Sequence, residues 1–262
     1  MSSTITLQGF LFDEKSSFLR GAAKAPPEIR AAYHSSSANY FSENGMDVHP
    51  GIFEDKGDFK IDQYFDLEDI TASNLNGKNK IITLGGDHSI SYPVIKALHQ
   101  QSGPMEILHL DAHGDLYDSF DGDPYSHACP FARVMEDKLA SRLVQVGVRT
   151  LNTHQREQAD KFGVEIIEMK DFKPESIPSF TKPLYLSVDI DSLDPAFAPG
   201  VSHQEPGGFT TREVLHIIQS IQGPIIGADI VEYNPDRDLN KMTAMVCAKI
   251  FREILSKMAT PD

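Results

Sequence analysis

The sequence predicts a three-layer α/β/α fold with a central, mainly parallel β-sheet. Short apolar runs rich in β-forming residues alternate along the chain with helical patterns, and glycine or proline bounds most of the runs. This alternation is typical of right-handed βαβ units, whose helices cover both faces of a parallel sheet. Because no linker, composition shift or repeat interrupts the pattern, we expect residues 1–262 to form a single domain.

Seven strands are predicted from apolar runs such as KIITL and MEILHL, and they lie at 4–10, 80–84, 105–110, 142–148, 163–168, 183–190 and 224–231. Five helices are predicted between and after them, at 89–101, 127–140, 152–162, 210–222 and 241–258. In the last helix, an apolar stripe at helical spacing indicates the face that packs on the core.

The charge of the chain limits its partners. Acidic residues outnumber basic ones by 38 to 24, which gives a formal net charge of −14. This balance argues against a nucleic acid or an anionic membrane as partner and is compatible with metal ions or amines. No apolar run is long enough for a spanning helix. The two cysteines give no disulfide framework, and MSSTITLQGF lacks the features of a signal peptide, so we expect a cytoplasmic protein.

Polar residues follow several predicted strands, at the edge of the sheet where parallel α/β proteins bind ligands. In GGDHS, two glycines allow a sharp turn and place His88 where a helix begins, although Asp87 or Ser89 could simply cap that helix. In SVDIDSLDP, Asp189 and Asp191 share one face of the extended chain. Two carboxylates side by side need a metal ion, or one of them must be protonated.

The motif DAHGD follows the strand at 105–110. Asp111, His113 and Asp115 are spaced two apart, so their side chains can converge on one face. Three ionisable groups crowded at the end of an apolar strand repel and lose solvation unless a cation holds them. The alternative is a polar loop with a chance histidine. Further along, Asp194 precedes Pro195 and is expected to shape a turn.

These strand ends together supply four carboxylates and two imidazoles, too much negative charge for one divalent ion and suited to two. Oxygen-rich ligation favours Mn²⁺ over Ni²⁺, Fe²⁺ or Zn²⁺. Two such ions can share a water molecule and lower its pKa, which supplies a nucleophile for a planar, electrophilic carbon. The predicted metal ligands are His88, Asp111, His113, Asp115, Asp189 and Asp191.

The last predicted strand before the C-terminal helix ends in DIVEYNP. Its Glu232 could bind a small cationic substrate through two parallel N–H···O bonds to a guanidinium group. A glutamate that caps a loop is an equally good interpretation of the residue type alone.

GGDHS, DAHGD, SVDIDSLDPAFAPG and DIVEYNP resemble, in order and spacing, the signatures of the arginase/agmatinase ureohydrolases, over nearly the whole chain. The intervening segments are most similar to plant-type arginases, themselves close to agmatinases. The resemblance implies an arginase-like fold, a homo-oligomer (trimer or hexamer) and two Mn²⁺ ions bridged by Asp111 and Asp189. It also implies that His127 moves protons to and from the leaving amine and that Glu232 binds the guanidinium. Asp115 is counted with these two as catalytic.

Two departures from animal arginases bear on the substrate. Tyr117 lies near the Asn that holds the arginine carboxylate in those enzymes, and Asn152 lies near the Asp beside the α-amino group. Both are candidate substrate-binding residues, and both weaken the case for an α-amino-acid clamp.

We therefore expect hydrolysis of agmatine to putrescine and urea. The alternatives are arginine hydrolysis to ornithine and urea, action on guanidinobutyrate or formiminoglutamate, and a catalytically silent amine-binding relative. A metal amidohydrolase of similar architecture, acting on acylated amines, is a further rival.

Three other residues stand close to these motifs. His109 is expected to be a packed core histidine. Cys129 is expected to be a small buried residue, because nothing beside it completes a thiol nucleophile. His203 is a candidate for the mouth of the site.

Overall fold

The computed structural model describes residues 5–75 and 80–260. Within them the chain forms one sheet whose strand order is β2-β1-β3-β8-β7-β4-β5-β6, and every pairing is parallel. The strands are β1 (Ile5–Leu11), β2 (Phe53–Lys60), β3 (Lys80–Leu84), β4 (Met105–Leu110), β5 (Ala140–Val148), β6 (Glu165–Glu168), β7 (Leu184–Asp189) and β8 (Ile225–Val231).

Helices cover both faces of the sheet, so the predicted three-layer fold is confirmed. The α-helices are α1 (Ala25–Tyr33), α2 (Asp66–Leu75), α3 (Ser91–Ser102), α4 (Pro130–Glu136), α5 (Thr153–Phe162), α6 (Thr211–Ser220) and α7 (Met242–Ala259). Helices α1, α6 and α7 pack together on one apolar core, and α2 to α5 pack in succession on the other. The central strands are buried on both faces, which is why they are mostly apolar, with a few buried polar residues such as His109 and Ser187.

All seven predicted strands are present, with ends within about two residues of the expected ones. The first predicted residue of β1, at position 4, lies outside the described residues. The helix expected at 127–140 is shorter, because Cys129 precedes a proline that begins α4 and Asp137 ends it.

Three elements were not predicted: β2, α1 and α2. Strand β2 has the sequence FEDKGDFK and lies at the edge of the sheet with no residue fully buried, so it lacks an apolar run. Helix α1 begins with the sequence APP. Two consecutive prolines are typical of a loop, although proline is also common in the first turn of a helix. Helix α2 buries only three of its residues and shows a weak stripe. Among the described helices, none combines the length and apolar character needed to cross a membrane.

The sheet order determines where the motifs meet. Strands β3, β8, β7 and β4 are neighbours at its centre, and one of the four motifs lies across or directly after the end of each. Because these strands are parallel, all four motifs lie at the same edge.

Candidate binuclear metal site

His88 follows β3 in a turn that fits very closely against β1. A Cβ atom on Gly86 would lie 1.5 Å from the Phe12 carbonyl oxygen, so only glycine allows this approach. Asp87 accepts a hydrogen bond from the Ser89 backbone N–H at 3.1 Å and thereby caps the following turn. Asp87 therefore caps this turn, which was one of the alternatives the sequence left open, and His88 is buried at the strand edge.

A chain of hydrogen bonds fixes the protonation of His88. Its Nε2 lies 2.9 Å from the Ser187 hydroxyl oxygen, and that hydroxyl donates to Asp229 at 2.7 Å. Since the Ser187 proton goes to Asp229, the Ser187 oxygen accepts from Nε2–H. Tyr185 and Ser91 also donate to Asp229, which is fully buried. In the neutral ring, His88 Nδ1 is therefore left with a lone pair.

That lone pair faces three carboxylates. Nδ1 lies 3.2 Å from Asp111 Oδ2 and 3.1 Å from both Asp115 Oδ2 and Asp189 Oδ2. Nδ1 is buried without a hydrogen-bond partner among the described residues. Four buried acceptors that face one another are unfavourable unless a cation, either a proton or a metal ion, lies among them. The donor set of imidazole and carboxylate oxygens fits a divalent metal ion.

A second cluster lies beside the first. His113 Nδ1 is 3.0 Å from Asp191 Oδ2 and 3.3 Å from Asp111 Oδ1. Asp111 thus directs one oxygen at His88 and the other at His113, which is the arrangement of a ligand shared by two ions. The six predicted ligands are brought together as expected.

Burial and mutual repulsion shape the electrostatics of this cluster. Burial, followed by Asp191 and Asp111, raises the pKa of Asp189 well above its usual range. Burial alone would lower the pKa of His88, but the carboxylates around it raise that pKa well above its usual value. Without metal, the cluster therefore holds protons tightly, and a metal ion must displace them.

Two of the site residues have backbone angles that are uncommon for their type. Asp115 has φ +48° and Glu232 has φ +62°, both in the left-handed region. Such conformations are unfavourable for residues other than glycine and concentrate at functional sites. They direct these two carboxylates towards the common edge of the sheet.

Glu232 and His127 form a buried pair beside the metal ligands. Glu232 Oε1 accepts from the His88 backbone N–H and lies 2.9 Å from His127 Nδ1. Burial opposes a charged imidazole, but Glu232 outweighs it and raises the pKa of His127 to about 9. The Ser17 backbone N–H points at His127 Nε2 from 3.1 Å and counters that rise, because it disfavours a proton on this nitrogen.

Glu232 and His127 line a cleft of about 280 Å³ together with four of the predicted metal ligands, His113, Asp115, Asp189 and Asp191. Tyr117 and His203 line it as well, whereas Asn152 is not among the described residues that do. Asn152 caps α5, accepting from the Gln155 N–H, and its amide donates to the Tyr117 hydroxyl at 2.6 Å. A larger cleft of about 600 Å³ lies between α6, α7 and the loop at 43–44, and it contains none of the predicted site residues.

His109 is more than a core residue. It is fully buried and packs on Phe131, but its Nε2 also lies 2.7 Å from Asp111 Oδ2. The Gln145 amide donates to His109 Nδ1, so the ring proton is on Nε2 and is donated to Asp111. In this tautomer Nε2 carries a proton, so His109 orients the Asp111 carboxylate, although it also lies in one cluster with His88 and Asp111 that could hold a metal ion. The sequence signal for this contact was the position of His109 on a buried strand, two residues before the predicted ligand Asp111.

Sequence reasoning did not identify Ser187, Asp229 or Ser17. Other expectations are confirmed. Asp194 accepts from the backbone N–H groups of Ala196 and Gly207, and so shapes its turn. Cys129 is buried, and burial raises the pKa of its thiol to about 12, which leaves it a poor nucleophile.

Carboxylate-rich cation sites that share a cleft with a glutamate and a histidine suit the hydrolysis of guanidino compounds, and the class indicated is the metal-dependent ureohydrolases. The model of the Arginase family matches residues 3–256, and the chain belongs to this family. Members of the family are metal-dependent and have a binuclear centre.

Individual relatives agree. Arginase 1 of Arabidopsis thaliana is 44% identical over 98% of this chain and 82% of its own length. The human guanidino acid hydrolase is 33% identical over 94% of this chain and 76% of its own. The structure of the arginase from Medicago truncatula has a TM-score of 0.92 at 41% identity, covering 98% of this chain and 88% of its own.

These comparisons correct two expectations. The predicted cytoplasmic location is wrong, because the Arabidopsis arginase and the human hydrolase are both named as mitochondrial. They also favour the arginase alternative over the agmatine hydrolysis that was placed first, since the relatives at 42–44% identity are named arginases.

Proposed function

We propose that the protein hydrolyses L-arginine to L-ornithine and urea. The observation that carries this proposal is the 44% identity to a named arginase over 98% of the chain, combined with a complete set of ligands at the sheet edge. We further propose Mn²⁺ as the metal, because carboxylate oxygens outnumber imidazoles among the ligands. His88, Asp111, Asp115 and Asp189 would hold one ion, and Asp111, His113, Asp189 and Asp191 the other.

Metal ions bound there would supply the Lewis acidity that activates water. The chain's own residues do the rest. Glu232 has one oxygen, Oε2, that no described residue contacts as donor, and it lines the cleft, so it can receive a guanidinium N–H. His127 carries a proton on Nδ1 beside that glutamate and can donate it to the departing amine as the C–N bond breaks.

The outer part of the cleft supports arginine over agmatine. The Tyr117 hydroxyl oxygen accepts a hydrogen bond from the Asn152 side-chain amide. The Tyr117 O–H is therefore free to donate a hydrogen bond into the cleft. A phenol donor suits the α-carboxylate of arginine, a group that agmatine lacks. In this arrangement Tyr117 binds the substrate and Asn152 orients it.

One observation favours agmatine as the second candidate. The cleft has Glu205 in its lining, and among the described lining residues there is no lysine or arginine. This acidic lining attracts the cationic groups of agmatine and provides no positive charge for a substrate carboxylate.

The deciding experiment is urea release from arginine, agmatine and guanidinobutyrate after Mn²⁺ loading. We expect kcat/KM for arginine to exceed that for agmatine by about tenfold or more, equivalent to one good polar contact of about 1.4 kcal/mol. A preference for agmatine would refute the arginase proposal but keep the ureohydrolase class. Light scattering of the same sample would test the expected trimer or hexamer.

A further inference from the structure

Ser17 lies far from all four motifs in sequence, yet it contacts His127. Its hydroxyl oxygen is 2.8 Å from His127 Nε2, and its backbone N–H donates to the same nitrogen at 3.1 Å. On the other side of the ring, Nδ1 is 2.9 Å from Glu232. Ser17, His127 and Glu232 therefore form a continuous hydrogen-bonded line through the imidazole.

The direction of this line can be assigned. A backbone N–H can only donate, so Nε2 is an acceptor and the ring proton is on Nδ1, directed at Glu232. The Ser17 hydroxyl, next to the same lone pair, is placed to donate to Nε2 as well. Glu232, Asp87, Asp115 and His203 are the titratable groups that face this histidine.

The loop that carries Ser17 is firmly held. The Lys15 backbone N–H donates to Asp87 at 3.0 Å, and the Lys15 carbonyl accepts from the His127 backbone N–H at 3.2 Å. The Lys15 ammonium is 2.6 Å from Asp123. Ser17 itself is exposed and also lines the cleft, so it connects buried His127 with solvent.

We propose that Ser17 is a positioning and relay residue that supplies His127 with protons from solvent. This rests on the proposed role of His127. As Nδ1–H is donated to the departing amine, the Ser17 O–H bond breaks and a new N–H bond forms at Nε2, while a buffer acid or water gives its proton to the Ser17 oxygen in the same step and leaves as its conjugate base. Because the ring gains a proton as it loses one, it does not become a buried imidazolate anion. The first tautomer is restored when Nδ1 takes a proton from a water molecule that enters the cleft and Nε2 returns its proton through Ser17 to a base in solvent.

The test compares Ser17→Ala with Ser17→Thr, which keeps the hydroxyl, and with Ser16→Ala on the same loop as matched control. In dilute buffer, we expect Ser17→Ala to lower kcat about tenfold, a modest part of what general acid catalysis contributes. Rising concentrations of imidazole should restore kcat, because a small acid replaces the hydroxyl. The kcat of Ser17→Thr should stay within about twofold of the wild-type value, and the kcat of Ser16→Ala should equal the wild-type value.

An unchanged kcat in Ser17→Ala at every buffer concentration would overturn the relay, and so would a loss that imidazole does not restore. His127→Gln separates the two proposals. If it retains wild-type kcat, the proposed role of His127 fails first. If it loses kcat while Ser17→Ala does not, only the relay is wrong.

Discussion

The cleft beside the predicted metal ligands and the larger cleft between α6 and α7 each contain a buried glutamate, and the two carboxylates are satisfied differently. In the larger cleft, Glu253 Oε1 accepts from Lys249 at 2.7 Å and from the Glu43 N–H at 2.9 Å, while Oε2 accepts from Gln219 at 3.1 Å. In the smaller cleft, both contacts to Glu232 are made by Oε1. The described residues supply a donor for each oxygen of Glu253 but none for Glu232 Oε2.

This difference separates a structural charge from a functional one. A buried carboxylate whose oxygens are all paired stabilises the packing around it, whereas an oxygen without a donor at the wall of a cleft can accept a hydrogen bond from a ligand. The unpaired Nδ1 of His88 among three carboxylates shows the same incompleteness. The smaller of these two clefts is thus the one that has polar atoms available to a ligand.

The largest effect is expected from a ligand change in the smaller cleft. Asp191→Ala should lose one metal ion and lower kcat/KM beyond the roughly 10²–10³-fold that a single electrostatic contact at a reacting group contributes. Asp191 is buried at the strand edge, where it contacts His113 and accepts from the Ala112 backbone N–H at 3.2 Å, and it lies outside the two apolar clusters. Metal analysis with turnover checks this, and circular dichroism shows whether the fold survives. Two ions per chain with normal turnover would contradict the assignment.

The next effect comes from Glu232→Gln. The substitution keeps the size but removes the charge and one acceptor, so kcat/KM should fall by about 10²–10³, or roughly 2–4 kcal/mol. Metal content should change little, because Glu232 is in neither predicted ligand set. Steady-state kinetics with arginine and agmatine should show similar losses, since both present the same guanidino group. A variant that loses its metal instead would place Glu232 in the scaffold.

Metal binding should depend strongly on pH. In the metal-free protein the surrounding carboxylates raise the pKa of His88 and of His113 well above their usual values, against the effect of burial. This shift favours the protonated form of both imidazoles, and each must release a proton to bind metal. The apparent Mn²⁺ affinity should therefore rise with pH, by about tenfold per pH unit for each proton displaced. Calorimetric titration of metal-free protein at several pH values tests this, and an affinity independent of pH would contradict it.

A smaller, selective effect is expected at the outer wall. Tyr117→Phe removes the hydroxyl that Asn152 orients, and it should raise KM for arginine by about tenfold, the cost of one hydrogen bond to a charged group. KM for agmatine should change much less, because agmatine has no carboxylate. Equal changes in KM for arginine and agmatine would show that Tyr117 does not bind the α-carboxylate of arginine.

The predictability of these regions also differs. Central strands β3 and β4 were predicted at their observed bounds, because parallel strands buried on both faces are mostly apolar. The six predicted ligands lie at or shortly after the ends of such strands, so residue type and spacing predicted that they meet at one edge of the sheet. Strand β2 was missed because an edge strand is satisfied by polar residues. Ser17 could not be found, because its contact with His127 spans 110 residues and depends on the path of a loop.

The smallest effect on activity is expected in the larger cleft, from the same substitution made at the other buried glutamate. Glu253→Gln should leave kcat and KM unchanged, since no predicted site residue lines that cleft. It should lower the free energy of unfolding by about 1–3 kcal/mol, because a charged acceptor with three donors is replaced by a neutral one.

Burial alone would raise the pKa of Glu253, but Lys249, Gln219 and the Glu43 N–H lower it below its usual value. A depressed folded-state pKa contributes stability above the unfolded-state value, and this contribution is lost as pH falls through the folded-state value. The difference in stability between wild type and Glu253→Gln should therefore be full at neutral pH and shrink below about pH 4.5, the usual pKa of the group. Urea denaturation across this range measures it. A loss of activity with stability intact would show that the larger cleft takes part in the chemistry, and the distinction between the two glutamates would fail.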